Sequence, residues 1–544
     1  MKIIQKSIYS LLLCGALCGA GACKKGFEEM NTPYKDASES TASIPGLFNG
    51  LVSSLGKYGD DALNVSLLYP ITNQQSYQNT VAPYLNYSVT YWSQYYPDLL
   101  VYKSILKKIN EQPNPQVFKN VRFMASIMIA NKTLRMLDYY GDIPYSKASL
   151  ANTGTQAYRP AYDEQKVVYT SVLTDLKNAA DSLGMVTDPV QSGLGSFETF
   201  LNNDFTAWKK FANALRLRYA VRLYNKEKAL ADAIIADIIG GNKPLPENQN
   251  AADPTGLYLN NFGLWPNRIS SNNQILGALA SKWDSYRELS ISNIRMSSNV
   301  WQQMSSTNAT NGSGIFDPRC YVYFMTNNAD QWVPQPQNGS QPEGGRPYDD
   351  GTTRKGIGTD PANKFACVNY FMAYDRKFYP ILIVTEADVH FLKAEIYQRG
   401  MGVAKDIAKA KTEYEAGITA SVDFWYAYTR LSEIWLTKPA KPTVAQMTAF
   451  LTNPAVLYNG ANDADALKKI ATQSWLATMF QPAESWATVR RTGLTPKDPT
   501  YNPSVVNKLP YPDDENINNH ENWQKATNGE NPTQQVQKKV YWMQ

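Results

Sequence analysis

Apolar side chains recur every three or four positions along much of the chain after residue 44, which is the spacing of one face of a helix. Between Pro115 and Gly141 the recurring residues are Val117, Val121, Met124, Met128, Leu134 and Leu137. This period predicts a helix with one apolar face. We expect the helix to end at Gly141, because glycine readily adopts the backbone conformation that terminates helices.

Two more helices are predicted from the same spacing. The second runs through Val167, Leu173, Leu176 and Ala180, and Asp163 can cap its start. The third runs through Phe205, Trp208, Phe211, Ala212, Leu215, Tyr219 and Leu223. Large apolar groups at helical spacing are more often core residues than ligand contacts, so we interpret Trp208, Phe211 and Trp92 as packing residues.

A pair of predicted helices near residue 400 is similar to one unit of a helical repeat. The first helix extends from Glu386 to a turn at Gly400, and the second carries Ala410, Tyr414 and Gly417. Small and aromatic residues at these spacings are typical of tetratricopeptide hairpins, in which small side chains let two helices approach closely. One hairpin cannot bury its apolar face alone, so we expect several to stack.

The segment between the two helical blocks has a different composition. Residues 325–362 are rich in Asn, Gln, Gly, Pro and Asp and show no helical period. A stretch of this length without regular structure is usually either functional or disordered. Because disordered linkers are poor in aromatic residues, Trp332 and Tyr348 favour a functional segment.

The N-terminus resembles a bacterial lipoprotein signal. Lys2 and Lys6 precede a short apolar stretch, and small residues lead to Cys23. The stretch is too short to span a bilayer, so we predict that residues 1–22 are a cleaved signal peptide and that Cys23 becomes the lipidated first residue. Residues 23–43 are mostly polar and predict a tether. The alternative is an ordinary secretory signal, in which Cys23 is a chance thiol.

Composition indicates a large, water-soluble body behind this anchor. The 544 residues carry a net charge of +5, the mean hydropathy is −0.41, and no later segment predicts a transmembrane helix. No basic stripe with interleaved aromatics supports nucleic-acid binding. Once the signal is removed and Cys23 is lipidated, Cys320 and Cys367 could form a disulfide, but two buried free thiols are an equal alternative.

Six motifs occur in a defined order along the chain between residues 138 and 519. The first three are a Gly-Asp-Ile-Pro-Tyr turn (138–145), a helix with Trp, Phe, Asn and two Arg (208–218) and an Asp-Pro-Arg loop (317–319). The last three are the hairpin helix (386–400), a Glu-Ser-Trp segment with a double Arg (484–493) and a Leu-Pro-Tyr-Pro segment (509–519). Together they resemble the motifs of the SusD/RagB family of surface nutrient-binding lipoproteins.

The resemblance implies a fold class and a domain organisation. The fold would be mainly α, with a scaffold of tetratricopeptide-like helical hairpins at about 44–240 and 374–500. A less regular, loop-rich ligand-binding lobe would occupy about 241–373, and a closing segment would occupy 501–544, so that residues 44–544 form one SusD-like domain.

The resemblance also implies a role. The protein would be anchored by its lipid on the outer membrane, facing the cell exterior. It would capture a nutrient and deliver it to a SusC-like TonB-dependent transporter, with no bond broken. We interpret Arg490 and Arg491 as internal pairing residues, because their planar guanidinium groups suit carboxylates and main-chain carbonyls. Lys508 stands where the family has Arg, which leaves its ion pairing open.

Aromatic residues in segments without helical stripes are the candidates for ligand contact. Rigid rings with neighbouring amides and hydroxyls suit a sugar ring or an extended peptide, because they offer contact area at low entropic cost. The ligand is therefore an oligosaccharide or a peptide. The candidate ligand-binding residues are Asn73, Gln75, Tyr77, Tyr84, Trp265, Trp332 and Tyr348.

Catalysis finds little support in the sequence. The chain has two histidines, His390 and His520, and carries none of the common nucleophile, zinc-protease or nucleotide-binding motifs. We therefore predict a binding protein without a cofactor or metal, although a calcium ion held by scattered loop carboxylates stays open. Two alternatives remain: a surface glycoside hydrolase, which needs only two carboxylates brought together by the fold, and a helical-repeat scaffold for another protein.

Overall fold

The computed structural model describes most of the chain after residue 41. The described residues are 42–57, 63–76, 84–150, 159–247, 254–265, 295–327, 329–336, 364–369, 380–432, 435, 437–499 and 505–544. All elements named below belong to one unit, Ile44–Gln544. Helices dominate this unit, which confirms the predicted mainly α fold. Among the described residues, no helix is both long enough and apolar enough to cross a bilayer.

The first block of helices precedes residue 241. Its α-helices are α1 (Ile44–Ser53), α2 (Tyr69–Thr72), α3 (Tyr84–Asn110), α4 (Lys119–Tyr140), α5 (Gln165–Ser182), α6 (Phe205–Leu223) and α7 (Lys228–Ile235). Short 3₁₀ turns lie at Ser54–Lys57, Pro115–Phe118 and Gly195–Phe197, and π-helical turns at Asn64–Leu68 and Ala236–Gly240.

Helices of this block pack side by side in chain order, from α3 to α4, α5 and α6, with α1 against α3. The predicted helix before Gly141 is confirmed as α4, which ends at Gly141 with a φ of +83°. Buried residues cover most of α4 rather than one face, because it lies between α3 and α5. Trp92 is buried within α3, as predicted for a packing residue.

The cap predicted for α5 was wrong. The residue before this helix is Glu164, and Asp142 from the preceding turn accepts the Gln165 backbone N–H at 3.0 Å. The Asp163 carboxylate instead accepts the backbone N–H groups of Tyr145 and Ser146, each at 2.9 Å. Two aspartates thus hold the turn and the start of α5 together, one from each side.

The second block follows residue 385. Its helices are α11 (Glu386–Arg399), α12 (Ile407–Leu431), α13 (Val444–Leu451), α14 (Asp463–Ala477) and α15 (Pro482–Thr492), and the closing segment carries α16 (Asp513–Asn518), α17 (His520–Thr527) and α18 (Pro532–Gln535). α11 packs against α12 and α14, and α14 packs against α15. α11 also packs against α6 of the first block, so one core continues through both.

The predicted hairpin near residue 400 is formed by α11 and α12. Thr385 and Asp388 build a capping box at the start of α11, and Gly400 ends it in the left-handed conformation, with a φ of +67°. A Cβ atom at Gly417 would lie 2.9 Å from the Phe391 ring. Because real Cβ atoms essentially never come so close, the absence of a side chain at Gly417 is what lets the two helices approach.

The region between the blocks contains short helices and, in the part of the chain that the structure describes, all but one of the strands. These elements are α8 (Pro254–Leu259), β2 (Phe262–Leu264), β3 (Arg295–Met296), α9 (Ser298–Met304), α10 (Cys320–Tyr323), β4 (Phe324–Met325), β5 (Cys367–Val368) and β6 (Ile381–Val384), and β1 (Gln75–Ser76) joins them from the first block. One sheet has the order β1-β3-β5-β4, and β2 pairs with β6. All of these pairings are antiparallel.

Candidate functional site

A buried charge network lies where the two helical blocks meet. We define it by Asp138 on α4, Arg218 and Arg222 on α6, Asp388 on α11 and Glu484 on α15. Arg218 contacts Asp388 at 3.0 Å and Glu484 at 3.4 Å, and Arg222 pairs with both Asp138 and Glu484. These side chains are at most 10% exposed. Four of the sequence motifs therefore meet at one buried point.

Asp138 also accepts three neutral donors. The Tyr219 hydroxyl donates to it at 2.6 Å, the Tyr169 hydroxyl at 3.2 Å and the Trp542 indole N–H at 3.0 Å. An anion that is desolvated this completely is tolerated only when its oxygens are hydrogen-bonded and a cation is close. Asp138 meets both conditions, because Arg222 pairs with it as well.

The double Arg motif also pairs internally, as predicted. Arg490 donates to the carbonyls of Asp138 at 2.9 Å and Asn507 at 2.6 Å, and its guanidinium lies 3.5 Å from the centre of the Trp486 ring. Arg491 forms a two-pronged pair with Glu395, both contacts being 2.7 Å. These arginines are engaged with the protein itself.

The electrostatics of the network favour a structural role. Burial alone would raise the pKa of Glu484, but the guanidinium groups of Arg218 and Arg222 overcome this effect and lower it to about 2. A carboxylate with such a pKa stays ionised near neutral pH and is a poor general acid. The network thus stabilises the junction of the two blocks, and the candidate binding site lies elsewhere.

An open groove of about 520 Å³ lies on the second block and is the candidate functional site. We call it the aromatic groove. Its lining residues come from α10 and the segment before it, from α12 and from α13 with its flanking loops: Ile315, Phe316, Pro318, Tyr321, Tyr426, Pro439, Ala440, Pro442, Gln446, Ala449, Phe450 and Asn453. Its volume falls within the range of pockets that hold small ligands.

The Asp-Pro-Arg motif builds one wall of the aromatic groove. Asp317 and Arg319 form a fully buried ion pair, with Nη2 and Oδ2 2.6 Å apart, and Arg319 also donates to Gln473 at 2.6 Å. Pro318, between them, lines the groove, and its carbonyl accepts the Tyr426 hydroxyl at 2.9 Å. The Tyr426 hydroxyl therefore ties this wall to α12, and Arg319 ties it to Gln473 on α14.

The rings of the aromatic groove are supported from behind. Tyr321 is half-buried and meets the buried Trp332 edge-on, with ring centres 5.8 Å apart. Phe316 and Phe450 lie with their ring centres 6.3 Å apart. Rings held by packing present their faces at low entropic cost on binding.

Two amide side chains supply hydrogen bonds at the aromatic groove. The Gln446 oxygen accepts the Thr443 N–H at 2.8 Å in a capping box, and the Asn453 oxygen accepts the Ala455 N–H at 3.0 Å. Within the described part of the chain, neither amide nitrogen donates a hydrogen bond to another residue. Both remain able to donate to a ligand.

Two of the predicted ligand-binding residues, Asn73 and Gln75, are buried beside α15 and β3. Asn73 ends α2 with a φ of +60°, and its carbonyl accepts the Ser297 hydroxyl at 2.9 Å. Its side-chain oxygen accepts the Asp498 N–H at 3.0 Å. Gln75 contacts the Met479 sulfur at 3.9 Å. As packed here, both join β1 to the second block.

Trp265 and Trp332 are buried as well. Trp265 is 3% exposed, donates to the Asn261 carbonyl at 3.0 Å and meets Tyr258 edge-on at 4.8 Å. Trp332 is 6% exposed and stacks on Trp301 with ring centres 6.5 Å apart. Trp332 thus reaches the aromatic groove only through Tyr321. Direct ligand contact by these two rings stays a prediction.

The remaining predicted ligand-binding residues are Tyr77, Tyr84 and Tyr348. Tyr77 and Tyr348 lie outside the described residues, as does Cys23, and α3 begins at Tyr84 without a described side chain there. The sheet register shows which strand ends lie side by side. Because β1, β3 and β5 are antiparallel neighbours, the chain leaves β1 after Ser76 at the same edge where it enters β3 at Arg295.

The described cysteines and His390 are held by contacts within the protein. Cys320 and Cys367 are free and fully buried, and burial raises the pKa of both thiols, that of Cys367 to about 12. His390 is paired with Glu413 at 2.6 Å. Among the described residues, no group of three or more His, Cys, Asp or Glu is arranged to hold a metal ion.

Comparison with known proteins assigns this architecture to a class. A SusD-like family model, described as starch-binding and associating with the outer membrane, matches residues 45–512. The chain therefore belongs to the SusD-like family. No curated protein matches it in sequence.

Solved structures share the fold at low sequence identity. A chitin-binding protein is 22% identical with a TM-score of 0.67, and the alignment covers 92% of this chain and 100% of that one. A chitin-binding SusD homolog from Flavobacterium johnsoniae is 18% identical, with a TM-score of 0.61 and coverage of 92% and 98%. A SusD/RagB family protein from Bacteroides thetaiotaomicron is 18% identical, with a TM-score of 0.65 and the same coverage.

Proposed function

We propose that this protein is a lipid-anchored receptor on the outside of the outer membrane, which captures an oligosaccharide and delivers it to a TonB-dependent transporter. The family description supports an outer-membrane carbohydrate-binding role. The observation that carries the proposal is the aromatic groove, in which the half-buried rings of Phe316 and Tyr321, backed by the buried Phe450, lie beside two amide donors.

The chemistry of the aromatic groove suits a neutral sugar chain. Carbon-bound hydrogens of a pyranose pack on ring faces, while its hydroxyl and acetamido oxygens accept from the amide nitrogens of Gln446 and Asn453. Two of the structural relatives are titled as chitin-binding. We therefore propose oligomers of N-acetylglucosamine as the first ligands to test, with peptides as the other class.

Binding without catalysis is the better account of the aromatic groove. Its lining in the described part of the chain includes no Asp, Glu or His. Glycoside hydrolysis needs a pair of carboxyl groups roughly 5–9.5 Å apart across the scissile bond. The nearest acid in the wall, Asp317, is fully buried and paired with Arg319. The groove thus holds a ligand and leaves it intact.

A panel of glycans and peptides tests the proposal directly. We expect the full chain to bind an oligosaccharide with a Kd between about millimolar and micromolar, because two or three ring faces and a few hydrogen bonds leave a net of roughly 4–8 kcal/mol. Calorimetry measures the affinity, and chromatography of the recovered ligand detects cleavage. Release of shortened products would show an enzyme, and binding to no member of the panel would leave the scaffold alternative.

Lipid anchoring is tested by changing Cys23. We expect Cys23→Ser to move the protein from the membrane fraction to the soluble fraction, because stable anchoring requires acyl chains on this residue. Fractionation followed by immunoblotting measures the change, and Cys14→Ser within the predicted signal is the matched control. If Cys23→Ser stayed with the membranes like the unsubstituted chain, the anchor would have to be something else.

A further inference from the structure

A second, polar cleft lies between the closing segment and the turn after α4. We call it the lysine cleft, and it has a volume of about 200 Å³. The residues that matter for its chemistry are Asp142, Gln165, Lys508, Glu530, Lys538 and Lys539. It shares no lining residue with the aromatic groove. The lysine cleft is therefore separate from the site of the proposed function.

Lys508 is the unusual member of the lysine cleft. This residue is 8% exposed, and its ammonium lies 4.0 Å from the centre of the Tyr511 ring. Among the described residues, no carboxylate lies within ion-pair distance of this ammonium and no acceptor takes its hydrogen bonds. A largely buried cation without a direct ion pair is costly, and a cation–π contact and more distant carboxylates offset only part of that cost.

The other charged groups of the cleft are already engaged. Lys538 pairs with Glu530 at 2.8 Å, and Lys539 donates to the Gln544 carbonyl. Asp142 accepts the Gln165 backbone N–H at 3.0 Å. The Gln165 side-chain oxygen accepts the Tyr541 N–H at 2.8 Å, so its amide nitrogen remains a donor on the cleft wall.

We infer that the lysine cleft is a binding site for an oxyanion, with the Lys508 ammonium as its anchor and the Gln165 amide as a second donor. Carboxylate, sulfate and phosphate groups share the required chemistry, since each offers several acceptor oxygens and a negative charge. Such a group supplies the direct ion pair that Lys508 lacks among the described residues. Burial also lowers the pKa of Lys508 to about 8, because Asp142 and Glu530 offset the desolvation only partly.

Sulfate is the first probe, measured by calorimetry with the full chain. We expect Lys508→Met to weaken sulfate binding by roughly tenfold or more, and Lys508→Arg to stay within about threefold because it keeps the charge. Lys411→Met is the matched control, since Lys411 is an exposed lysine paired with Glu415 at 2.6 Å. Equal affinity of the unsubstituted chain and Lys508→Met, or no sulfate binding by the unsubstituted chain, would overturn the inference.

The pH dependence gives a second readout that needs no substitution at Lys508. Sulfate keeps its charge between pH 6 and 10, whereas Lys508 loses its proton as the pH rises through about 8. We expect the affinity for sulfate to fall about tenfold per unit above that pH. Asp142, Glu530, Lys538 and Lys539 also line the cleft, so the titration is repeated with Lys538→Met and Lys539→Met. A flat affinity up to pH 10 would contradict the inference.

A third measurement separates the possible sources of the anion. Glucuronate and glucose differ in one acid group, so binding of glucuronate but not glucose would indicate an acidic sugar. Binding of sulfate or phosphate without glucuronate would indicate a free inorganic anion. Both results support an oxyanion site. Equal binding of glucose and glucuronate, unchanged in Lys508→Met, would count against it.

Discussion

Glu484→Gln is expected to lower the free energy of unfolding by about 3–5 kcal/mol. The substitution removes the carboxylate that lies between Arg218 and Arg222 and keeps the size of the side chain. Both guanidinium groups are at most 3% exposed, so water cannot replace the lost charge. Asp138 and Asp388 must then balance the two cations alone. Urea unfolding followed by circular dichroism measures the change.

The matched control for this prediction is Glu415→Gln. Glu415 pairs with Lys411 at 2.6 Å on an exposed face of α12, where both ions are hydrated. Exposed pairs contribute about 0–1 kcal/mol, so the control should unfold nearly as the unsubstituted chain does. If Glu484→Gln cost no more than this control, the buried network would not be what stabilises the junction of the two helical blocks.

The same carboxylate gives the network a pH dependence of known sign. The pKa of Glu484 is lowered from 4.5 to about 2 in the folded chain, and that of Glu395 likewise. An acid with a lowered pKa stabilises the fold above its unfolded value. This stabilisation is fully present above about pH 4.5 and is lost as the pH falls through about 2. Glu484→Gln should therefore lose part of this acid dependence.

Tyr321→Ala is expected to weaken oligosaccharide binding by about 1–2 kcal/mol, or roughly 5–30-fold, because it removes a supported ring face from the aromatic groove. Tyr321→Phe keeps the face and should retain most of the affinity. Calorimetry with the best ligand of the panel measures both. Tyr321 is only half-buried, so these changes should leave the fold intact.

A ring outside the aromatic groove provides the control for this second prediction. Tyr397 on α11 is also half-buried, and it packs beside Lys409 at 5.4 Å. Tyr397→Ala should bind the ligand as the unsubstituted chain does. If Tyr321→Ala kept full affinity while the chain still bound the oligosaccharide, the ligand would occupy another surface.

Local sequence signals predicted the helical scaffold well. The stripe that begins at Phe205 and ends at Leu223 coincides with α6, because Asp204 caps its start by accepting the Ala207 N–H at 3.0 Å. The small residue at Gly417 predicted a close helix pair, and α11 and α12 form it. In these cases the determining contacts lie within a few residues or one hairpin.

Long-range packing is what the sequence could not convey. Trp265 lies in a segment without a helical stripe, which made it a candidate for ligand contact, and in the structure it meets Phe424 of α12 with ring centres 6.0 Å apart. The sequence did not predict the aromatic groove, because Phe316, Tyr426 and Phe450 come from elements that are separate in the sequence. Of the six sequence motifs, only Asp-Pro-Arg contributes to the wall of the aromatic groove. It was recognised as a motif of the family and not as part of a binding site.

The hydrogen bond from Trp542 to Asp138 has a consequence for biosynthesis. In a chain synthesised N-terminus first, this indole becomes available only after all the members of the network have been made. Until then Asp138 lacks one of its three neutral hydrogen-bond donors. The charge network at the junction of the two blocks is thus completed only when the end of the closing segment has folded against α4.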